Sequence, residues 1–166
     1  RALKVKTFFN MLGPMVNPSS PRKQMTGVYS LEIARLYNYL YQTSDIQYTI
    51  IHSLDGYDEV SLTDSFKYIF NGVEQVITPE MLNYQRIRLS DLKGGKTTDD
   101  AAGIFINILE GKGTNAQNNV VIANTQLAVK CYYPSKSLEE CRVMAEDSLF
   151  GGNALRSFKM LIEIQS

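Results

Sequence analysis

The stretch that decides the fold runs from Ile46 to Thr63 and reads IQYTIIHSLDGYDEVSLT. Its first half is rich in apolar and β-branched side chains, which predicts a buried strand over Ile46–His52. Its second half is rich in acidic and turn-forming residues, and it places Asp55, Asp58 and Glu59 within five positions. The sequence therefore predicts a buried strand that ends in an acidic loop.

That acidic loop is a candidate cation site. Carboxylates this close repel one another, by roughly 1 kcal/mol per pair at 4 Å in water. Ligand sites in α/β folds lie just beyond the C-terminal ends of strands, which is where this loop falls. Carboxylates without a His or Cys cluster favour Mg²⁺ over zinc, because Mg²⁺ keeps waters and substrate phosphates as ligands. The alternative is that Asp55-Gly56 is a simple turn and that Asp58 and Glu59 are solvated; the residues alone leave both open.

Composition bounds the class of protein. A chain of 166 residues is long enough for one domain with a sizeable core. Its 17 basic residues balance 17 acidic ones, which argues against a nucleic acid or an anionic membrane as the main partner. No apolar run approaches the ~20 residues that a membrane helix needs.

The chain begins with Arg1 and not with Met, so we expect it to be a fragment. The opening RALKVKTFF is interrupted by Asn10, and no cleavage pattern follows, so no signal peptide is predicted. Cys131 and Cys141 are predicted to be reduced thiols in a cytoplasmic protein.

The first half of the chain has the pattern of a mixed sheet. Ser30 is predicted to cap a helix from Leu31 to about Thr43. A strand before this helix and the strand Ile46–His52 after it form a right-handed parallel unit. Two further strands are predicted to pair through a turn at Asn71-Gly72. The three predicted strands around Ile46–His52 are Lys23–Tyr29, Ser65–Phe70 and Val73–Ile77.

The second half has the periodicity of helices. An extended stretch over Asn83–Leu89 leads into them. Thr98 is the predicted N-cap of the first helix, which Gly111 ends. The others are a deeply buried helix over Asn118–Tyr132, one from a capping box at Ser137 and Glu140 to about Phe150, and one capped by Asn153. The predicted class is therefore α/β, with a mixed sheet flanked by helices and a helical C-terminal half.

Other candidate functional residues are less specific. Gly13-Pro14 lies in an apolar passage rich in breakers, which is either a core-lining connection or a pocket wall. His52 is the one histidine in the sequence, and its place at a strand end favours a structural hydrogen bond over a role as base. The loops Gly94–Lys96 and Gly111–Thr114 contain glycines that could cradle phosphate, but neither matches a P-loop or the dinucleotide fingerprint.

Three ordered motifs resemble a known family. They are NMLGPMVNP at residues 10–18, HSLDGYDEVS at 52–61 and ILEGKGTNAQNNVVIANTQLAV at 108–129. They are similar to the FNxLGPLxNP, HGxDGxDE and ILxGxxGPxRDxVxLNAAxAL motifs of anthranilate phosphoribosyltransferases of the tryptophan pathway. The resemblance covers the whole chain but only the C-terminal half of that enzyme. It implies that residues 1–166 are the C-terminal part of a large nucleoside-phosphorylase/phosphoribosyltransferase-like α/β domain, without the N-terminal helical domain and phosphate loop.

The resemblance also implies roles for residues. Asp58 and Glu59 match the pair that holds Mg²⁺ on phosphoribosyl pyrophosphate, and Gly13 and Pro14 match the lining of the anthranilate channel. The family's anthranilate-contacting arginine aligns just before Arg1, so Arg1 receives no role. No catalytic side chain is assigned.

The implied reaction transfers phosphoribosyl from phosphoribosyl pyrophosphate to the anthranilate amine, giving N-(5-phosphoribosyl)anthranilate and pyrophosphate. The implied enzyme is a cytoplasmic homodimer that uses Mg²⁺ as cofactor. Its glycine-rich loop and Lys-His-Gly-Asn motif are absent from this sequence, so we expect these 166 residues alone to be inactive and to need the missing N-terminal half.

The sequence departs from the family at several positions. Ser53 replaces a usual Gly, and Tyr57 replaces a common Leu. In the third motif, residues 114–117 (Thr-Asn-Ala-Gln) replace Gly-Pro-x-Arg, and residues 123–125 (Ala-Asn-Thr) replace Asn-Ala-Ala. Near the start, Lys4 and Lys6 replace a usual Gly and Arg.

The sequence leaves two alternatives to the transferase. A pyrimidine nucleoside phosphorylase-like enzyme would bind phosphate and not a Mg-bound diphosphate, and the Asp58-Glu59 pair speaks against it. The second alternative is a related protein that binds ligands or nucleic acid and has no transferase activity. The balanced charge argues against its nucleic-acid version.

Overall fold

A computed structural model describes Gly13 and residues 15–165. Its sheet has four strands in the order β1-β2-β3-β4. β1 and β2 are parallel, whereas β3 runs antiparallel to both β2 and β4. The predicted mixed sheet and the β3–β4 hairpin are therefore confirmed. The strands are β1 Lys23–Gly27, β2 Gln47–Ser53, β3 Phe66–Phe70 and β4 Val73–Ile77.

Helix α1, Leu31–Gln42, connects β1 to β2 and packs on one face of the sheet. It begins at Ser30, whose hydroxyl accepts a hydrogen bond from the Ile33 backbone N–H at 3.3 Å, as the sequence predicted. The core between α1 and the sheet is formed by Val28, Ala34, Tyr37, Tyr41, Tyr48, Ile50 and Ile69.

The opposite face of the sheet is covered by the C-terminal helices. Helix α3 lies on β1 and β2 and packs in turn on α4. Strand β2 lies between this layer and α1, and six of its seven residues are buried, among them the polar Thr49, His52 and Ser53. Two 3₁₀ turns, Pro79–Leu82 and Leu89–Leu92, precede the helices. The helices are α2 Thr98–Leu109, α3 Asn115–Tyr132, α4 Leu138–Phe150 and α5 Asn153–Gln165.

Several predicted boundaries were wrong. The N-cap of α2 is Thr97 and not Thr98, because Thr97 and Asp100 form a reciprocal capping box. Helix α3 begins at Asn115, three residues before the predicted Asn118, since Thr114 and Gln117 form another such box. Asn153 is the first helical residue of α5. The capping box predicted at Ser137 and Glu140 is confirmed.

Two predictions of conformation and burial also need correction. The stretch predicted as extended over residues 83–89 is not extended at its ends: Asn83 is left-handed with a φ of +62°, and Leu89 begins a 3₁₀ turn, whereas Arg88 is extended. Helix α3 is not deeply buried all round: Ala123 and Leu127 are fully buried, but Ala128 is exposed. Its buried residues instead form one face toward the sheet.

Both cysteines fit the prediction of reduced thiols. Cys131 and Cys141 are free and buried, and burial raises the pKa of each thiol above its ordinary value. In the described part of the chain, no helix is long and apolar enough to span a bilayer.

Candidate functional site

The acidic loop, residues 54–59, leaves the sheet where two strands end together. Strands β1 and β2 are parallel, so their C-terminal residues, Gly27 and Ser53, lie at the same edge. The chain then turns at Gly56, which has a φ of +99° and donates its N–H to the Ser53 carbonyl at 2.9 Å. This positive φ favours glycine and confirms the turn predicted at Asp55-Gly56.

Ser53 closes the loop back onto the end of β2. Its N–H donates to the Tyr57 carbonyl at 2.9 Å. Its hydroxyl donates to the Glu59 carbonyl at 2.5 Å. Ser53 is fully buried, so its N–H and hydroxyl donors are shielded from water and depend on these two bonds.

Asn124 of α3 anchors the residue that follows the loop. Its Oδ1 accepts the Val60 N–H at 2.9 Å, and its Nδ2 donates to the Val60 carbonyl at 2.8 Å. One side chain thus satisfies both backbone groups of Val60, which is fully buried. The loop is therefore attached to β2 at one end and to α3 at the other.

The three carboxylates of the loop are not equivalent. The Asp55 carboxylate accepts hydrogen bonds from the hydroxyls of Ser61 and Thr63, so it joins the loop to the segment that follows it. Asp58 and Glu59 are exposed, and their carboxylates form no hydrogen bond or ion pair with the described residues. The candidate cation ligands are thus two adjacent side chains on an anchored backbone.

This donor set fits Mg²⁺. Among the residues that the structure describes, no three His, Cys, Asp or Glu side chains gather as a ligand set. Zinc needs such a set, whereas Mg²⁺ is often held by one or two carboxylates together with waters and substrate phosphates. Asp58 and Glu59 can supply those two carboxylates.

The remaining candidates have mainly structural contacts. His52 is buried, and its Nδ1 lies 2.8 Å from the Val28 carbonyl. A carbonyl can only accept, so Nδ1 carries the proton and the ring joins β2 to the end of β1. Gly13 is exposed, and Pro14 lies outside the described residues, so their role as a channel wall stays a prediction.

The two glycine loops serve the ends of helices. Gly111, with a φ of +73°, follows the end of α2. The Gly113 carbonyl accepts a hydrogen bond from the Asn118 amide at 3.1 Å. In the other loop, the Lys96 N–H donates to the Asp100 carboxylate at 3.0 Å. These contacts account for the conformation of both loops without a bound phosphate.

Three residues of the site were not identified as such from the sequence. Ser53 and Asn124 entered only as departures from a motif. No role was predicted for Gly27, although an isolated glycine in a strand is a signal of close backbone approach. A Cβ atom built on Gly27 would lie 1.6 Å from the Asp58 carbonyl oxygen.

The chain is similar to proteins of a known family. The model of the glycosyl transferase family, a/b domain, matches residues 1–155. This chain belongs to that glycosyl transferase family. An anthranilate phosphoribosyltransferase of Bacteroides fragilis (strain YCH46) is 50% identical over 164 residues, which is 99% of the chain and 50% of the relative. One from Flavobacterium johnsoniae is 48% identical, over 99% of the chain and 49% of the relative.

Solved structures agree with this glycosyl transferase assignment. The anthranilate phosphoribosyltransferase of Saccharomyces cerevisiae in complex with PRPP and Mg has a TM-score of 0.85 and 26% identity, over 96% of this chain and 46% of that one. The enzyme from Thermus thermophilus has a TM-score of 0.81 and 26% identity, over 92% and 46%. The α/β class and the family resemblance are thus confirmed. The chain spans about half the length of the curated relatives it matches.

Proposed function

We propose that this chain is the C-terminal part of the large α/β domain of an anthranilate phosphoribosyltransferase. The observation that carries the proposal is the pair Asp58-Glu59, two exposed carboxylates on an anchored loop beyond the C-terminal end of β2. Two similarities support the proposal. A relative named anthranilate phosphoribosyltransferase is 50% identical to this chain in sequence, and the fold is similar to that of a yeast enzyme whose structure holds PRPP and Mg. These matches do not favour the phosphorylase or the non-catalytic alternative.

In this proposal, Asp58 and Glu59 bind the diphosphate of phosphoribosyl pyrophosphate through Mg²⁺. When bound, the ion offsets the charge that builds up on the departing pyrophosphate. The task of the two residues is to orient that group relative to C1 of the ribose, where the anthranilate amine attacks. An amine carries its own lone pair and needs no strong base, so alignment of the two substrates supplies much of the remaining acceleration.

Other parts of the site belong to the proposal as well. Gly13 and Pro14 would form the wall of the anthranilate channel. A glycine-rich phosphate loop would come from the missing N-terminal half, so we expect the 166 residues alone to give no turnover. A homodimeric state and a cytoplasmic location stay predictions.

The proposal is tested in the complete enzyme that contains this chain. Replacing Asp58→Asn with Glu59→Gln keeps the size of both side chains and removes their charge. Losing several kcal/mol of charge stabilisation should lower Mg-dependent formation of phosphoribosylanthranilate by roughly 100-fold or more. A matched control replaces two other exposed acids, Asp147→Asn with Glu163→Gln, and should retain activity. Equal activity of the two double variants would contradict the assigned role.

A further inference from the structure

The end of β1 lies against the backbone of the acidic loop. A Cβ atom on Gly27 would be 1.6 Å from the Asp58 carbonyl oxygen and 2.8 Å from its carbon. Real Cβ atoms essentially never approach a heavy atom closer than 3.0 Å. The atoms in the way belong to the main chain, so a change of rotamer cannot relieve the overlap.

Gly27 is needed here for space and not for its backbone conformation. It is not among the glycines with positive φ, so an alanine could adopt its dihedral angles. Its own position is determined by the sheet, since Gly27 pairs with Ile51 and the next residue, Val28, donates its N–H to the Ile51 carbonyl at 2.9 Å. The loop, and not the strand, must therefore move if a side chain is added.

Three consecutive residues of the loop region are held through their main chains. The Asp58 carbonyl rests against Gly27, the Glu59 carbonyl accepts from the Ser53 hydroxyl, and both backbone groups of Val60 bind Asn124. None of these contacts involves the two exposed carboxylates. They instead determine the direction in which the Cα–Cβ bonds of the pair point.

We propose that Gly27, together with the Ser53 hydroxyl, is a positioning residue for the Asp58-Glu59 pair. This inference rests on the proposed function, in which that pair binds Mg²⁺ with phosphoribosyl pyrophosphate. Mg²⁺ demands near-octahedral geometry with short bonds, so it tolerates little displacement of its ligands. Gly27→Ala requires the Asp58 carbonyl oxygen to move by at least about 1.4 Å to reach an allowed distance.

The test compares Gly27→Ala with Gly103→Ala in the complete enzyme. Gly103 lies within α2 and has no atom within 4 Å of an added Cβ, so it controls for the Gly-to-Ala change itself. Binding of Mn²⁺ in place of Mg²⁺ is measured by electron paramagnetic resonance with phosphoribosyl pyrophosphate present. Disturbing residues that orient metal ligands typically weakens metal affinity about 10- to 100-fold. We expect that loss for Gly27→Ala and none for Gly103→Ala.

Kinetics and thermal melting separate positioning from misfolding. For a folded Gly27→Ala enzyme, the Mg²⁺ concentration for half-maximal rate should rise, and saturating Mg²⁺ should recover part of the rate. Ser53→Ala introduces no overlap and should shift Mn²⁺ affinity in the same direction by a smaller factor. If Gly27→Ala does not fold, Ser53→Ala decides: weakened Mn²⁺ binding supports the inference, and wild-type binding overturns it.

Failure of the inference and failure of the proposed function give different results. A wild-type enzyme that neither binds Mn²⁺ with phosphoribosyl pyrophosphate nor transfers phosphoribosyl would overturn the proposed function, and the inference with it. A wild-type enzyme that does both, beside a folded Gly27→Ala variant with unchanged Mn²⁺ affinity, would overturn the inference alone.

Discussion

Asn124→Ala is the substitution that most directly tests how the acidic loop is held. Asn124 forms three hydrogen bonds, two with the backbone of Val60 and one from Nδ2 to the Val120 carbonyl at 2.9 Å. The Val120 bond lies within α3 and contributes nothing to the loop. The two bonds to Val60 join segments that are 64 residues apart in the chain.

The magnitude follows from these bonds and from the burial of Val60. A hydrogen bond contributes about 0.5–1.5 kcal/mol net, and a buried donor left unpaired costs about 1–3 kcal/mol. Ala is the better helix former by roughly 0.5 kcal/mol, which offsets part of the loss. Asn124→Ala should therefore lower the free energy of unfolding by about 2–3 kcal/mol. For a chain of this size, that corresponds to roughly 5–10 °C in melting temperature.

The assay is urea and thermal denaturation, with Thr125→Ala as the control. Thr125 is the next residue of α3, and its hydroxyl donates only to the Val121 carbonyl of the same helix at 2.8 Å. Its replacement should change stability by no more than about 0.5 kcal/mol. Equal melting temperatures for the Asn124→Ala and Thr125→Ala variants would refute the role of Asn124 as the anchor of Val60.

Two further predictions concern the core. Leu127 is fully buried, so Leu127→Ala should lower the free energy of unfolding, measured by urea denaturation, by about 3 kcal/mol. The control Ile164→Ala, at an 80% exposed position, should lower it by less than about 0.5 kcal/mol. Similar losses in the two variants would contradict the described packing. Burial raises the pKa of Tyr68 and of Tyr84 to about 12. Because tyrosine in an unfolded chain ionises near pH 10, both residues contribute stability below pH 10 that is lost as the pH rises to about 12. The urea midpoints of unfolding at pH 9 and pH 11 measure this loss of stability, and the absorbance of tyrosinate follows the ionisation. Identical midpoints at the two pH values would contradict the prediction.

The sheet and the acidic loop were predictable because their signals are local. The neighbouring Ile50 and Ile51 at the centre of β2, with Tyr48 just before them, favour a strand, so β2 can be recognised without its partner strands. The cap of α1 at Ser30 and the turn at Gly56 also depend on near neighbours. These short-range features are sufficient to place Asp58 and Glu59 beyond a strand end.

The anchors of the loop were not predictable because they join distant segments. Gly27 meets Asp58, and Asn124 meets Val60, only once the sheet and α3 are assembled. The start of α3 was missed for another reason. Its first turn, from Asn115, is polar, so the apolar periodicity begins later than the helix does.

The proposed role of Asp58 and Glu59 is to bind Mg²⁺ and, through it, a diphosphate. The most direct measurement is a crystal structure of the complete enzyme with Mg²⁺ and phosphoribosyl pyrophosphate. We expect carboxylate oxygens of both residues about 2.1 Å from a Mg²⁺ ion that also contacts the diphosphate. A structure in which the ion and the diphosphate are bound elsewhere, with both side chains in solvent, would contradict the claim.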